Sequence, residues 1–580
     1  MPTPRAPSLR TGGGWDARGV ALLGLLAACA GPAAPAGPPQ DTAGGADTAI
    51  PAIPVASGPT SGTSPDHDHD GFAAPADCDD HNAAVYPDAV EVCGDGVVNS
   101  CARVEAGWTD ELCSRLTDPM KEIGLSGEGV AELAALGDLR GDGGFTIGLG
   151  VPLASGCLEV GVDEAGAPLV ECGPFGTFYL LDLAAIPRRQ WLPDVGAPGV
   201  LGVNGPTPGR HYGSSLQGLG DLDGDGFDDF ALGNDQALFF GEDETDEVWL
   251  FWGPSPTALF TEGVQLIVGD DPDRCLGYDI ERAADLTGDD RDDLLVSDPC
   301  TDQVWVLSGV EVAAATGPGI SPAARVLEST AAAVELGVGV HGRADLTGDG
   351  IADLAVSAPD PDVHYPDGDF DFVSVTAGPL LGDHDAADAA FTVRSSLLHA
   401  AGDGHNLGFT IDAGDLNGDG YADLVIGDPN RVDYPWSEGA PFAGTFVFFG
   451  PLSGATVDVD ADAHVHTIAR GEVAAHTDLD GDGRDDLLVG SGLYPNEWGF
   501  STGNGASGQA YLLFSPFAGS ISAMNDADVV FSCHEDRSRC DYFGMQVLAV
   551  PDQTGDGVHD VVVGDYGNDF WLFAVPAPAR

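Results

Sequence analysis

Basic residues are scarce in this chain: 22 Lys and Arg stand against 93 Asp and Glu in 580 residues, for a formal net charge of −71. Nucleic acids and anionic lipid surfaces are recognised through basic patches, so a surface this negative excludes both and favours cations. Beyond Cys29 the chain also lacks any apolar run approaching the roughly 20 residues that cross a bilayer as a helix. Enzyme signatures are missing too. There is no GxSxG elbow, HExxH helix or Walker loop, and stray GxGxxG matches carry no weight among 83 glycines. No CxxC metal spacing occurs. The hydrophobic fraction is nevertheless 43%, which excludes a disordered acidic tail and a collagen. A chain of that content folds around a core, but its length exceeds the usual single-domain range unless the architecture repeats.

At the N-terminus, Arg5, Arg10 and Arg18 precede a short apolar run over 19–28 that ends at Cys29. The run is too short to span a membrane, and residues 1–28 read as a signal peptide. Leu26-Ala27-Ala28-Cys29 resembles the lipobox of bacterial lipoproteins, in which the Cys becomes the lipidated first residue of the mature chain. That resemblance implies lipidation at Cys29 and an extracytoplasmic protein held at a bacterial membrane, the outer membrane or cell surface, through the lipid anchor only. Residues 29–64 are Ala, Pro, Gly, Thr and Ser with little else, the composition of a flexible tether. Setting Cys29 aside leaves an even number of the 11 cysteines, as disulfides in an exported chain require. Close neighbours suggest the pairs Cys157 with Cys172, Cys275 with Cys300 and Cys533 with Cys540. Cys78, Cys93, Cys101 and Cys113 form a separate group whose connectivity is open.

Internal repetition organises the remainder. Nine-residue acidic segments begin at Asp138, Asp221, Asp285, Asp345, Asp415, Asp478 and Asp552, spaced 60 to 83 residues apart. Positions 1, 3, 5 and 9 carry side-chain oxygens in six copies. These are Asp221, Asp223, Asp225 and Asp229; Asp285, Thr287, Asp289 and Asp293; Asp345, Thr347, Asp349 and Asp353; Asp415, Asn417, Asp419 and Asp423; Asp478, Asp480, Asp482 and Asp486; and Asp552, Thr554, Asp556 and Asp560. Hard oxygen donors in that number suit Ca²⁺, whereas Mg²⁺ keeps several waters. Position 4 is Gly in every copy and position 6 in all but one, where Asp290 stands, as a turn with positive φ requires. The Asp138 copy has Arg140 and Thr146 at positions 3 and 9 and is expected to hold no metal. Its Arg-Gly-Asp triplet lies inside the loop and is read as part of it. An EF-hand shares this opening but needs Glu at position 12 and flanking helices. Position 12 here is Leu232, Val296, Val356, Ile426, Val489 or Val563, in short apolar runs that read as buried strands.

These loops, with the lead-ins Tyr212-Gly213, Leu276-Gly277, Leu407-Gly408 and Phe543-Gly544 and the aromatic strands that follow, resemble the FG-GAP repeats of integrin α-subunit propellers. The resemblance spans about 118–580 and implies an all-β, seven-bladed β-propeller over 116–580. The Asp478 copy departs from it by lacking the lead-in. No fourth strand follows 570–574, so closure of the last blade is expected from a segment within 104–123. In the related propellers the metal loops lie on one face and ligands bind the other. On that second face the aromatic loops bearing Tyr365, Tyr434, Trp436, Tyr494 and Trp498 suggest recognition of an extracellular protein or glycan.

Residues 65–115 hold a different motif, with Asp66, Asp68, Asp70 and Asp79 near Cys78 and Cys93. It is similar to short Asp/Cys metal-binding segments of bacterial surface proteins and to thrombospondin type 3 repeats, which implies one further Ca²⁺ beside the six of the propeller. His67 and His69 are read as solvated spacers. The sequence thus describes a calcium-stabilised binding or scaffold lipoprotein without an enzyme signature. A hydrolase or lyase acting on polysaccharide through acidic residues of the propeller face is the alternative.

Overall fold

The computed structural model describes residues 116–117, 121–125 and 132–575, except 153, 163–167, 175, 187–188, 193–198, 207–210, 235–245, 255–262, 269–273, 328–334, 360–370, 396–406, 429–443, 468–471, 493–507, 533–542, 554, 556 and 566–568. For 116–125, 155–174 and 189–192 the description is of the backbone. Cys29, Asp66, Asp68, Asp70, Asp79, Thr554, Asp556 and the five aromatic residues above lie outside it, as do the tether, Cys533 and Cys540.

The protein is a seven-bladed all-β propeller. Each blade has a four-stranded antiparallel sheet, and in six of the seven its strands run outward in sequence order. Blade 1 is built from Glu132–Gly137, Thr146–Val151, Thr177–Asp182 and Val200–Asn204, and blade 2 from Ser215–Gly220, Asp229–Gly233, Glu247–Phe251 and Val264–Val268. Blade 3 comprises Ile280–Arg282, Leu294–Asp298, Gln303–Leu307 and Ala324–Leu327; blade 4 comprises Val340–His341, Leu354–Ala358, Phe372–Thr376 and Phe391–Arg394. Blade 5 follows with Thr410–Gly414, Asp423–Asp428, Gly444–Phe448 and Ala463–His466, and blade 6 with Val473–Thr477, Asp486–Ser491, Gln509–Leu513 and Val529–Ser532.

Blade 7 takes three strands from the C-terminal end of the chain, Gln546–Val550, Asp560–Gly564 and Asp569–Ala574. Its fourth is Lys121–Leu125, antiparallel to Asp569–Ala574 with Ile123 opposite Phe570. The closing strand therefore begins inside the expected segment and runs two residues past it.

The core lies between neighbouring sheets. Leu133, Ile147 and Leu149 of blade 1 pack on Val550, Val562 and Phe570 of blade 7, and comparable clusters join blades 1 and 2, 2 and 3, 3 and 4, 4 and 5, and 6 and 7. A second strand covered on both faces is largely apolar, which is why those strands carry consecutive apolar residues such as Leu294-Leu295-Val296, with the buried polar residues at the strand ends.

The outer edges of blades 3 to 7 are each covered by a strand from elsewhere in the chain. Between its third and fourth strands, blade 4 sends Gly382–Asp385 back to pair in parallel with the outer strand of blade 3. Blade 5 sends Gly454–Val457 to blade 4, blade 6 sends Gly519–Ser522 to blade 5, and Arg189–Leu192 of blade 1 pairs with the closing strand of blade 7. Leu116–Thr117 does the same for blade 6. An unpaired edge would invite a foreign strand, and each added strand removes one.

Cys275 and Cys300 form the expected disulfide, tying the entry of blade 3 to the turn after its second strand. Cys157 and Cys172 stand directly opposite each other in a hairpin, Ser155–Val162 with Pro168–Pro174, that extends blade 1 between its second and third strands.

Candidate metal centres

Each acidic loop joins the first and second strands of its blade. The fourth and sixth positions have φ between +65° and +95° in all seven loops, Asp290 included, so the glycines are there for conformation. The first Asp organises the turn. In the Asp345 loop, Oδ1 accepts from the Gly348 N–H at 2.7 Å and Oδ2 from the Gly350 N–H at 2.7 Å, and the same pair recurs at Asp221, Asp415, Asp478 and Asp552.

Position 9 does something sequence reasoning missed. Its carboxylate is buried, and one oxygen accepts from the N–H of position 2 or 3, as Asp229 does from Leu222 at 2.9 Å and Asp293 from Thr287 at 2.7 Å. The other oxygen accepts from the N–H just beyond the third strand: Gly253 to Asp229, Gly309 to Asp293, Gly378 to Asp353, Gly450 to Asp423 and Ser515 to Asp486, at 2.8 to 3.1 Å. One carboxylate thus fastens the loop to the far side of its own blade. Position 8 fastens blade to blade, since Asp228 accepts from the Asp138 N–H at 2.6 Å and Asp485 from the Asp415 N–H at 3.0 Å. Replacing Asp486 by Ala should cost about 3 kcal/mol, because the N–H groups of Leu479, Asp480 and Ser515 lose their acceptor in a buried setting. Denaturant unfolding of D486A in chelator checks this; a change below about 1 kcal/mol would refute the fastening role.

Carboxylates converge in three loops among the described residues. One oxygen from each of Asp221, Asp223 and Asp225 lies within 4.8 Å of the others; so do those of Asp285, Asp289 and Asp293, and of Asp478, Asp480 and Asp486. Burial, reinforced by the neighbouring acids, pushes Asp229 and Asp486 up to about 7 and Asp293 and Asp423 up to about 6. A cation placed among these oxygens would offset that repulsion, so the donor set fits a metal ion.

The Asp138 loop keeps the bond from position 6, with Gly143 donating to Asp138 Oδ2 at 2.7 Å, but Oδ1 accepts from the Arg140 and Asp142 N–H groups and position 3 carries a guanidinium. Arg140 pairs with Asp182 on the third strand, and its Nε lies 3.4 Å from Asp142. Burial would raise the Asp138 carboxyl, but the surrounding backbone N–H groups hold it below its ordinary value.

The lead-ins are now explicable. Gly213, Gly277, Gly408 and Gly544 take positive φ and donate to the end of the second strand of their own blade, and Leu336-Gly337 of blade 4, which was not singled out in the sequence, does the same. The FG-GAP repeat family profile matches residues 212–251, 407–445 and 470–513, the last including the copy without a lead-in.

Those three segments are similar to FG-GAP repeats.

Three curated proteins are similar to part of the chain. The chain is 28% identical over 169 residues to phosphatidylinositol-glycan-specific phospholipase D of Rattus norvegicus, covering 27% of this chain and 18% of that protein. It is 30% identical over 167 residues to the Bos taurus protein of that name, covering 27% and 18%. To integrin alpha-11 of Homo sapiens it is 28% identical over 215 residues, covering 34% and 16%. The chain spans less than a fifth of the length of each. Residues 77–103 match a profile described as "Putative metal-binding motif".

A further charged group sits in the ring interior and carries no motif. Glu281, His341, Asp412 and His476 lie on the innermost strands of blades 3, 4, 5 and 6. His341 Nδ1 is 3.2 Å from Glu281 and 3.5 Å from Asp412, and His476 Nδ1 is 2.8 Å from Asp412. Burial disfavours the His341 cation, but the two carboxylates outweigh it and raise its pKa; burial likewise opposes the Asp412 charge, and the two imidazoles carry it well below the carboxylate range. The result is an ionic tie across four blades.

Proposed function

We propose that this protein is a calcium-stabilised binding or scaffold lipoprotein, exported, anchored through Cys29 at a bacterial membrane, and recognising an extracellular protein or glycan on the face opposite its acidic loops. The observation that carries the calcium reading is the convergence of three carboxylate oxygens within 4.8 Å in three separate repeats, each loop offering hard oxygen donors only. Six loops of that pattern supply about six Ca²⁺, and the Asp66 segment one more. The loops are structural in this reading, because their ninth residue is tied into the blade. The recognition face is the side where the loops between second and third strands carry Tyr365, Tyr434, Trp436, Tyr494 and Trp498. The relatives named for phospholipase D keep an enzyme as the second reading, here a hydrolase or lyase on polysaccharide.

A glycan array and a panel of purified surface proteins, probed with the soluble chain beginning after Cys29, test the recognition face. Replacing Tyr434, Trp436, Tyr494 and Trp498 by Ala should lower capture of the bound species at least tenfold while leaving the calcium-dependent melting unchanged. Full capture by that variant would sink the assignment of the face. Polysaccharide cleavage abolished by a single Asp or Glu substitution, with binding intact, would favour the enzyme.

A further inference from the structure

Blade 5 carries a donor set of a different kind, separate from the acidic loops. Its outer strand reads Ala463-His464-Val465-His466, and strand alternation puts both histidines on one face. Their ring centroids are 3.9 Å apart. In the ladder His466 lies opposite Gly444, and Gly444 lies opposite Asp428 on the next strand, so the middle position of this row across three strands has no side chain.

His464 reaches into that space. A Cβ on Gly444 would sit 2.5 Å from its Nε2, while the ring stacks on Phe446 with centroids 4.3 Å apart. Nε2 of His464 is buried and has no hydrogen-bond partner. His466 is positioned by Nε2, which lies 2.8 Å from Ser520 Oγ on the strand contributed by blade 6. Its remaining ring nitrogen is Nδ1. Burial lowers both imidazoles, His464 to about 4, with the His466 ring adding to the effect and Asp428 opposing it. Both rings are therefore neutral at neutral pH, the form that ligates metals.

We propose that His464 and His466 form a chelating site over Gly444, beside Asp428, for a divalent transition metal of the Zn²⁺, Ni²⁺ and Cu²⁺ class. Imidazole nitrogen selects that class over Ca²⁺, which takes oxygen ligands, so the site is chemically distinct from the loops. Two imidazoles at i and i+2 on one strand, with ring centroids 3.9 Å apart, lie close enough to share an ion. The bare Cα of Gly444 leaves the room, and the neighbouring blade's Ser520 orients one ring, as outer partners of ligating histidines do.

The test uses the full chain saturated with Ca²⁺, in a His67→Asn, His69→Asn background that removes the other histidine pair spaced i and i+2 in the sequence. Calorimetric titration with Zn²⁺ should show one ion bound, without loss of calcium. His464→Gln, His466→Gln and Gly444→Ala should each weaken it by roughly tenfold or more. Addition of Cu²⁺ to the same background should give an electron paramagnetic resonance spectrum with hyperfine structure from two nitrogens, which needs no variant to fold. Zn²⁺ affinity unaltered in all three variants, or a Cu²⁺ spectrum without nitrogen coupling, would overturn the site and leave the two rings as a stack on Phe446.

Discussion

Stripping divalent cations with a chelator should destabilise the propeller by about 2–8 kcal/mol at a reference of roughly 1 mM free Ca²⁺. Extracellular calcium modules bind at roughly 10⁻⁴–10⁻³ M, which gives on the order of 0.4–1.4 kcal/mol for each of six independent sites. That span is comparable with the whole stability of a domain, so chelation decides whether the ring stays folded. The pH dependence carries a sign of its own. Asp229 and Asp486 are pushed up to about 7, and Asp293 and Asp423 to about 6, from an ordinary value of 3.8. The acids facing them are Asp223, Asp478 with Asp480, Asp289 and Asp419 respectively. A folded-state pKa raised above the unfolded one contributes stability that is complete below about pH 4 and is lost as pH rises through 6 to 7. In chelator the protein should therefore melt higher at pH 5 than at pH 7.5. Added Ca²⁺ favours the ionised carboxylates and should restore melting most at pH 7.5. Melting with and without chelator across that range, beside metal analysis of the soluble chain, checks both. Zero or one ion with unchanged melting would mean that the loops are held by their backbone bonds alone.

A chain beginning at residue 126 should lose most of its cooperative stability, whereas one beginning at residue 115 should melt like the parent. The difference is the short stretch holding Leu116–Thr117 and Lys121–Leu125, which completes blade 7 and lines the outer edge of blade 6. Without it Asp569–Ala574 has an open edge and Arg189–Leu192 of blade 1 has nothing to pair with. The four aligned residue pairs between Lys121–Leu125 and Asp569–Ala574 amount to about 4 kcal/mol at roughly 1 kcal/mol per hydrogen bond, before any effect of opening the ring. Rapid proteolysis between 543 and 575 in the shorter chain would be the accompanying sign. Equal melting of the two truncations would refute closure by this strand.

Most of the loop chemistry was legible in the sequence because it is local. Nine residues contain the donors, the two positive-φ positions and the buried Asp that ends the turn, and they recur often enough to be read against one another. The apolar runs after each loop were legible for the same reason, since a strand covered on both faces is apolar through its middle. The lead-in of blade 4 escaped notice because Leu336-Gly337 sits in an Ala- and Val-rich stretch with no aromatic. The closing strand, Lys-Glu-Ile-Gly-Leu, has neither motif nor length, and only its place beside Asp569–Ala574 makes it a strand.

Tertiary structure alone decided the pairings that reach between repeats. Gly382–Asp385 and Gly519–Ser522 are tetrapeptides without an apolar run, and their strand conformation comes from the open edge of the preceding blade. Glu281, His341, Asp412 and His476 are single residues about 60 positions apart, and they form one ionic tie because the inner strands converge on the ring interior. His464 and His466 looked like an unremarked alternation until the register placed Gly444 beside them. By itself the sequence determined the repeat, its count and the chemistry of each loop, since those depend on residues within one turn of chain. Closure, edge exchange and the contacts between blades depend on surfaces that exist only once the sheets have packed, and no local pattern records them.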